Sequence, residues 1–149
     1  MRLIDRRVSC PSMSAPRRGA ALVEFAIVFP VFILVILGII EFGRAFMIGQ
    51  LVTNAAREGA RQAVLDGSSN SAVSSTVTSF MQGAGNVSPS DVTVTIAVST
   101  AAAANQLSAA KSGDLCTIRV SVPFSKVSYL TPSFLATTNL VGQSTMRHE

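Results

Sequence analysis

Histidine occurs once in this sequence, as His148, and cysteine twice, as Cys10 and Cys116. A structural or catalytic metal centre draws on several imidazole or thiolate ligands at close spacing, and so few cannot supply one. Ser-His-acid chemistry would need His148 held in a packed site. It stands beside the C-terminus, where a frayed tail is expected. No glycine-rich phosphate loop occurs either. The expectation is therefore no enzyme, no cofactor and no small-molecule substrate. Charge is also scarce: 13% of residues are charged, against about 25% in an average soluble domain. Part of the 48% apolar content must then face lipid or a subunit interface.

The net charge of +4 is confined to the N-terminal end. Residues 1 to 19 hold Arg2, Arg6, Arg7, Arg17 and Arg18 against Asp5, whereas the remainder balances seven basic with seven acidic side chains. A phosphate-binding surface needs clustered surplus cations, so no nucleic-acid partner is expected. The cluster lies beside an apolar segment and reads as a topology signal. Cys10 precedes that segment and Cys116 lies far beyond it, so in a spanning arrangement the two thiols sit on opposite sides of a bilayer and do not pair. A lipoprotein attachment at Cys10 would need an apolar run before it, and Arg6-Arg7-Val8-Ser9 stands there instead.

From Ala20 to Ile40 the chain has 21 residues and one charge, Glu24. About 20 apolar residues in a helix cross a bilayer core. The arginines on the N-terminal side place the N-terminus in the cytoplasm and the rest outside it, by the positive-inside rule. A cleaved secretory signal is the competing reading, but its apolar core runs about 7 to 15 residues. Its only small-x-small site after the core would be Gly43-Arg44-Ala45, with a charge in the middle.

A carboxylate deep in a membrane helix costs roughly 2.5 to 3.5 kcal/mol on insertion scales, so an intramembrane acid is a functional candidate by default. Glu24 lies only about 6 Å of helix beyond Ala20. It either reaches headgroup water or has a partner.

Gly19-Ala20-Ala21-Leu22-Val23-Glu24-Phe25, preceded by Arg17-Arg18 and followed by the apolar run, resembles a type IV prepilin processing site. The resemblance continues through Ile39-Ile40-Glu41-Phe42-Gly43-Arg44 and Ala55-Ala56-Arg57-Glu58-Gly59-Ala60-Arg61 to the TadE-like family, and the ending Met146-Arg147-His148-Glu149 is similar to the family's. It is strong over residues 17 to 66 and weak beyond. It implies a minor pseudopilin of a tight-adherence (Flp) pilus system, acting in pilus assembly, secretion or surface attachment. It implies cleavage between Gly19 and Ala20 by a prepilin peptidase, with Glu24 as fifth residue of the mature chain and an assembly contact. The implied partners are that peptidase, other pilins and pseudopilins, the pilus assembly platform and the bacterial inner membrane. The alternative is an uncleaved, single-pass anchored module with an extracytoplasmic binding or adhesion head.

Helical patterning continues past the apolar run. Ile48, Val52, Ala55, Gly59 and Ala63 fall on one stripe at 3.6 residues per turn, opposite Arg57, Glu58 and Arg61. Such small residues permit close approach of another helix or of the chain's own sheet, or simply form a core-facing stripe. The helix should end near Leu65, before Asp66-Gly67-Ser68-Ser69-Asn70. From Ala20 that is about 70 Å of helix, with a bend at Pro30.

The organisation expected is a basic leader over 1–19, a long helix over 20–66 and an extracytoplasmic head over 67–149. The head reads as a short helix, Ser71 to Met81, ended by Gly83. Two alternating strands follow at Asp91–Val98 and Leu115–Val122, with a weaker third at Asn139–Met146. Ala101 to Asp114 reads as a mobile loop. Cys116 reads as a buried small hydrophobe. The fold class is α+β, a long helix leading to a short helix and an antiparallel sheet of two to three strands.

Overall fold

The computed structural model describes residues 18–100, 105–128 and 135–148. The leader residues before Arg18, Cys10 among them, and Glu149 lie outside the described residues. The chain falls into two compact units, Met1–Ile36 and Leu37–Glu149.

Helix α1, Arg18–Ala63, begins in the first unit and ends in the second. In the first unit almost every side chain described is exposed, including Leu22, Val23, Phe25, Ile27, Val28, Val31 and Phe32. Phe25 and Phe29, one turn apart, place their ring centroids 5.2 Å from each other. α1 is long and apolar enough to cross a membrane, and exposed aliphatic side chains all round are what lipid contact requires. Pro30 lies inside the helix, where it removes one backbone donor.

The second unit is an α+β head. α2, Asn70–Gly85, starts at Ser69, whose hydroxyl accepts the Ala72 N–H. This is the usual way a serine satisfies an orphan first-turn donor. Val73, Val77, Met81 and Gly85 recur every fourth residue and are buried. The helix runs through Gly83, where the sequence suggests a stop, and ends at Asn86 in the left-handed conformation (φ 52°). The Asn86 and Val87 amides there close on the Gln82 and Met81 carbonyls. An αL residue at the end decides termination, and asparagine can take that role.

Three strands, β1 (Thr93–Val98), β2 (Leu115–Pro123) and β3 (Asn139–Arg147), form an antiparallel sheet in the order β1-β2-β3. β1 is shorter than the alternation suggests because Pro89–Asp91 makes a 3-10 turn before it. The register sets Val94, Ile96 and Val98 opposite Val120, Ile118 and Cys116, and sets Val120 opposite Gly142. Cys116, Ile118, Val120 and Val122 are fully buried, while Thr117, Arg119 and Ser121 turn outward. Burying each such aliphatic side chain stabilises the fold by about 1.5–3 kcal/mol.

The stripe on α1 lies in this core. Ile48, Val52, Ala55, Ala56, Ala60 and Ala63 are fully buried together with Val73, Val77, Met81 and Phe124. The small residues matter at two crossings. A Cβ on Gly59 would stand 2.7 Å from Val77 Cγ2 and 3.2 Å from Ile118 Cγ2, and one on Gly142 would stand 2.7 Å from backbone atoms of Val52 and Thr53. β3 therefore crosses α1 at backbone contact.

Two expectations about loops and ends are corrected. The second half of the Ala101 to Asp114 segment is tied down: Asn70 donates Nδ2 to the Asn105 carbonyl at 2.9 Å and accepts the Leu107 N–H at 3.0 Å. Leu107 is buried, and one apolar anchor with two amide bonds gives this half a fixed place; residues 101–104 lie outside the described residues. His148 is not frayed. It is 7% exposed, its N–H reaches the Asp114 carbonyl at 2.7 Å, and its carbonyl accepts the Gly113 N–H at 2.9 Å. These bonds extend the β2–β3 pairing past Arg147.

Candidate processing and assembly residues along the long helix

Three of the expected site residues lie at the start of α1. Gly19 and Ala20 are in its first turn and both are exposed, and a Cβ on Gly19 would meet nothing within 4 Å. The Gly19–Ala20 peptide is helical here, because α1 starts at Arg18 rather than at Ala20. Glycine lowers the cost of unwinding it by about 1 kcal/mol relative to alanine. Glu24 is exposed in the second turn, where the helix dipole favours an anion. It has no hydrogen bond or ion pair among the described residues. Its carboxylate and the peptide bond before Ala20 are both open to a partner.

The stripe residues Ile48, Val52, Ala55, Gly59 and Ala63 stand in the head's own core. They hold α1 against α2 and the sheet. The opposite side carries Arg57, Glu58 and Arg61, with Arg61 Nη2 2.8 Å from Glu58 Oε1.

A polar joint that the sequence offers no way to see lies within the second unit, at Glu41 and Arg44. Glu41 is 8% exposed, and its Oε1 accepts the Leu135 N–H at 3.0 Å. Arg44 donates Nε to the Val127 carbonyl at 2.9 Å and Nη2 to the Gly85 carbonyl at 3.2 Å. Gly85 is the last residue of α2, so the guanidinium sits at the negative end of that helix's dipole. Burying a carboxylate is costly unless hydrogen bonds compensate it, and hydrogen bonds to charged groups contribute about 1.5–3 kcal/mol each. Glu41 and Arg44 belong to the motif quoted for the family resemblance. Their spacing in the sequence gives no partner, because the partners are backbone groups 41 to 94 residues away.

A further polar group gathers at the β2 entrance. Asp114 accepts the Thr100 hydroxyl on Oδ1 and the Lys111 N–H on Oδ2 at 2.9 Å. The Lys111 amide, the Thr100 hydroxyl and the nearby His148 and Lys111 charges hold its carboxyl below the usual value, more than offsetting desolvation. Burial, with Asp114 adding to it, pushes the Cys116 thiol up. Cys116 is unpaired and buried, so it packs as an apolar group and forms little thiolate. No group of three or more His, Cys, Asp or Glu side chains placed to hold a metal occurs among the described residues.

Comparison with known proteins places the match on the part of the chain that carries these exposed and jointed residues. Residues 19–61 match the family model described as TadE-like protein. The matched segment starts at Gly19, contains Glu24, Glu41 and Arg44, and ends at Arg61. No curated protein and no solved structure matches the chain.

Proposed function

We propose that this chain, TadE-like over residues 19–61, is a minor pseudopilin of a tight-adherence (Flp) pilus system. It is a structural component of pilus assembly or secretion rather than a catalyst. It is anchored by α1 in the bacterial inner membrane, with the leader in the cytoplasm and the head outside. A prepilin peptidase trims it between Gly19 and Ala20, and its partners are other pilins and pseudopilins and the assembly platform. The observation that carries the reading is the exposed start of α1. Gly19, Ala20 and Glu24 stand uncovered at the head of an exposed apolar helix in the segment that is TadE-like.

The physical logic of the trimming is electrostatic. Cleavage creates an amine at Ala20, four residues from the Glu24 carboxylate. Between neighbouring helices the two are opposite charges, and a low dielectric strengthens their attraction. Before cleavage the amine does not exist, so the leader keeps the subunit from premature pairing.

The second reading is a single-pass membrane protein that keeps its leader and presents the head as an extracytoplasmic binding or adhesion module. One observation favours it: the Gly19–Ala20 bond lies within helical backbone, which a peptidase must unwind before cutting. Intact-mass measurement of the membrane-extracted protein separates the two. Loss of residues 1 to 19 is the expected result. A full-length mass would sink the processed-pseudopilin reading and leave the anchored module.

A further inference from the structure

The stretch of α1 from Ile39 to Met47 exposes large apolar side chains. Ile39, Ile40, Phe42, Phe46 and Met47 are 44 to 72% exposed, and at about 100° per residue they share one side of the helix. Phe46 is the most exposed of these, at 72%. Beside them, Phe42, Ala45 and Phe46 line an apolar groove of about 320 Å³ together with Leu135 and Leu140. The two charges in this stretch are engaged by the head: the Glu41 side chain is buried, and Arg44 donates to the carbonyls of Val127 and Gly85, while its Nη1 lies 3.5 Å from Met47 Sδ at the edge of that side. The next charged residue along α1 is Arg57.

We infer that this side of α1, formed by Phe42, Phe46 and Met47, seats in the boundary between lipid headgroups and acyl chains. The inference rests on the membrane anchor in the proposed function, and not on pilus assembly. Depth supports lipid as the occupant. The headgroup zone adds roughly 5–8 Å on each side of a core of about 30 Å. With a core ending at Ile40, the Cα atoms of Phe42 and Phe46 lie about 3 and 9 Å beyond it. Helical side chains lean toward the N-terminus, which on α1 is toward the acyl chains, so the Phe46 ring returns into the zone. Aromatic rings in that layer anchor helices at the interface. The joint made by Glu41 and Arg44 completes the arrangement, because charges satisfied within the head do not need water at a depth where water is scarce.

The sequence contains no tryptophan, so single-tryptophan variants of the full chain report on one position each. The variants Phe42→Trp, Phe46→Trp, Val31→Trp and Leu65→Trp are reconstituted at low protein density in phosphatidylethanolamine and phosphatidylglycerol vesicles. Emission is then quenched by lipids brominated near the glycerol end or deep in the chain, and by aqueous acrylamide. Phe46→Trp and Phe42→Trp should be quenched several-fold more by the shallow bromolipid than Leu65→Trp, and their emission should be blue-shifted from it. Acrylamide access to Phe46→Trp equal to that of Leu65→Trp would overturn the inference. Shielding from both acrylamide and bromolipid would overturn it too, and would assign the face to another protein chain. If Val31→Trp escaped every bromolipid the anchor itself would fail, whereas a quenched Val31→Trp with an unquenched Phe46→Trp removes the seating alone.

Discussion

Arg44, on α1, closes the C-terminus of α2 by donating Nη2 to the Gly85 carbonyl at 3.2 Å. The same guanidinium reaches the Val127 carbonyl at 2.9 Å, and one turn earlier Glu41 receives the Leu135 N–H. Three segments distant in sequence are thereby tied to one stretch of helix. Packing alone is non-directional, whereas these bonds fix where along α1 the head attaches.

Removing that tie should loosen the head without affecting insertion. Arg44→Ala should lower unfolding stability in detergent by about 2–4 kcal/mol, because it forfeits charge-assisted bonds and leaves Glu41 with a poorer electrostatic setting. Arg44→Lys should recover only part, since an ammonium lacks the planar fork that serves two carbonyls. Glu41→Gln keeps an acceptor for Leu135 and should cost less than Glu41→Ala. Denaturant midpoints of the four variants check the order.

Two glycines of the head should respond with opposite signs. Gly142→Ala drives a methyl group into the α1 backbone at 2.7 Å, where neither the helix nor β3 can yield cheaply, and should destabilise by about 1–3 kcal/mol or more. Gly83→Ala meets nothing within 4 Å inside α2 and should stabilise by about 0.5–1 kcal/mol. Thermal unfolding of both in one buffer tests the pair.

Asp114 predicts a pH dependence. Its carboxyl titrates below the ordinary value of 3.8, chiefly through the Lys111 amide and the Thr100 hydroxyl. A lowered folded-state value means that the unfolded chain binds its proton first as pH falls. The contribution is therefore complete above about 3.8 and disappears as pH drops through the folded-state value. Asp114→Asn should flatten that acid limb of a stability profile measured between neutral pH and pH ~2, leaving the limbs of other carboxylates in place.

Ser68 has a buried hydroxyl with no hydrogen-bond partner among the described residues. An unsatisfied buried group costs about 1–3 kcal/mol. Ser68→Ala should hold or raise stability, and a clear loss in denaturant unfolding would show that the hydroxyl is satisfied after all.

At the start of α1, Gly19→Ala should block trimming and leave insertion intact, which the intact mass of the membrane fraction reads directly. Glu24→Ala should spare both insertion and trimming but reduce crosslinking to pilin partners. Unchanged crosslinking would remove the pairing role from Glu24.

The strands and the long helix were readable because their residues repeat with the period of the backbone. Cys116, Ile118, Val120 and Val122 alternate, and β2 buries that set. Gly83 misled because a glycine marks a helix end only when its neighbours take up the closing bonds, and Asn86 does so here. The segment before Asp114 looked featureless from its alanines and serines, yet Asn70 and Leu107 hold its second half. His148 looked terminal, yet it continues the sheet through Asp114 and Gly113.

Sequence by itself determined the apolar run, the charge asymmetry around it, the positions of Gly19 and Glu24, and the alternation that makes strands. These are local: each depends on side-chain chemistry within a few turns or one strand. Only the tertiary structure decided that Gly142 lies against the Val52 backbone, that the small stripe of α1 is the head's own core, and that Glu41 and Arg44 bind Leu135, Val127 and Gly85. Those partners are mostly backbone groups, which every residue possesses, so no residue pattern can announce which of them folding will bring near.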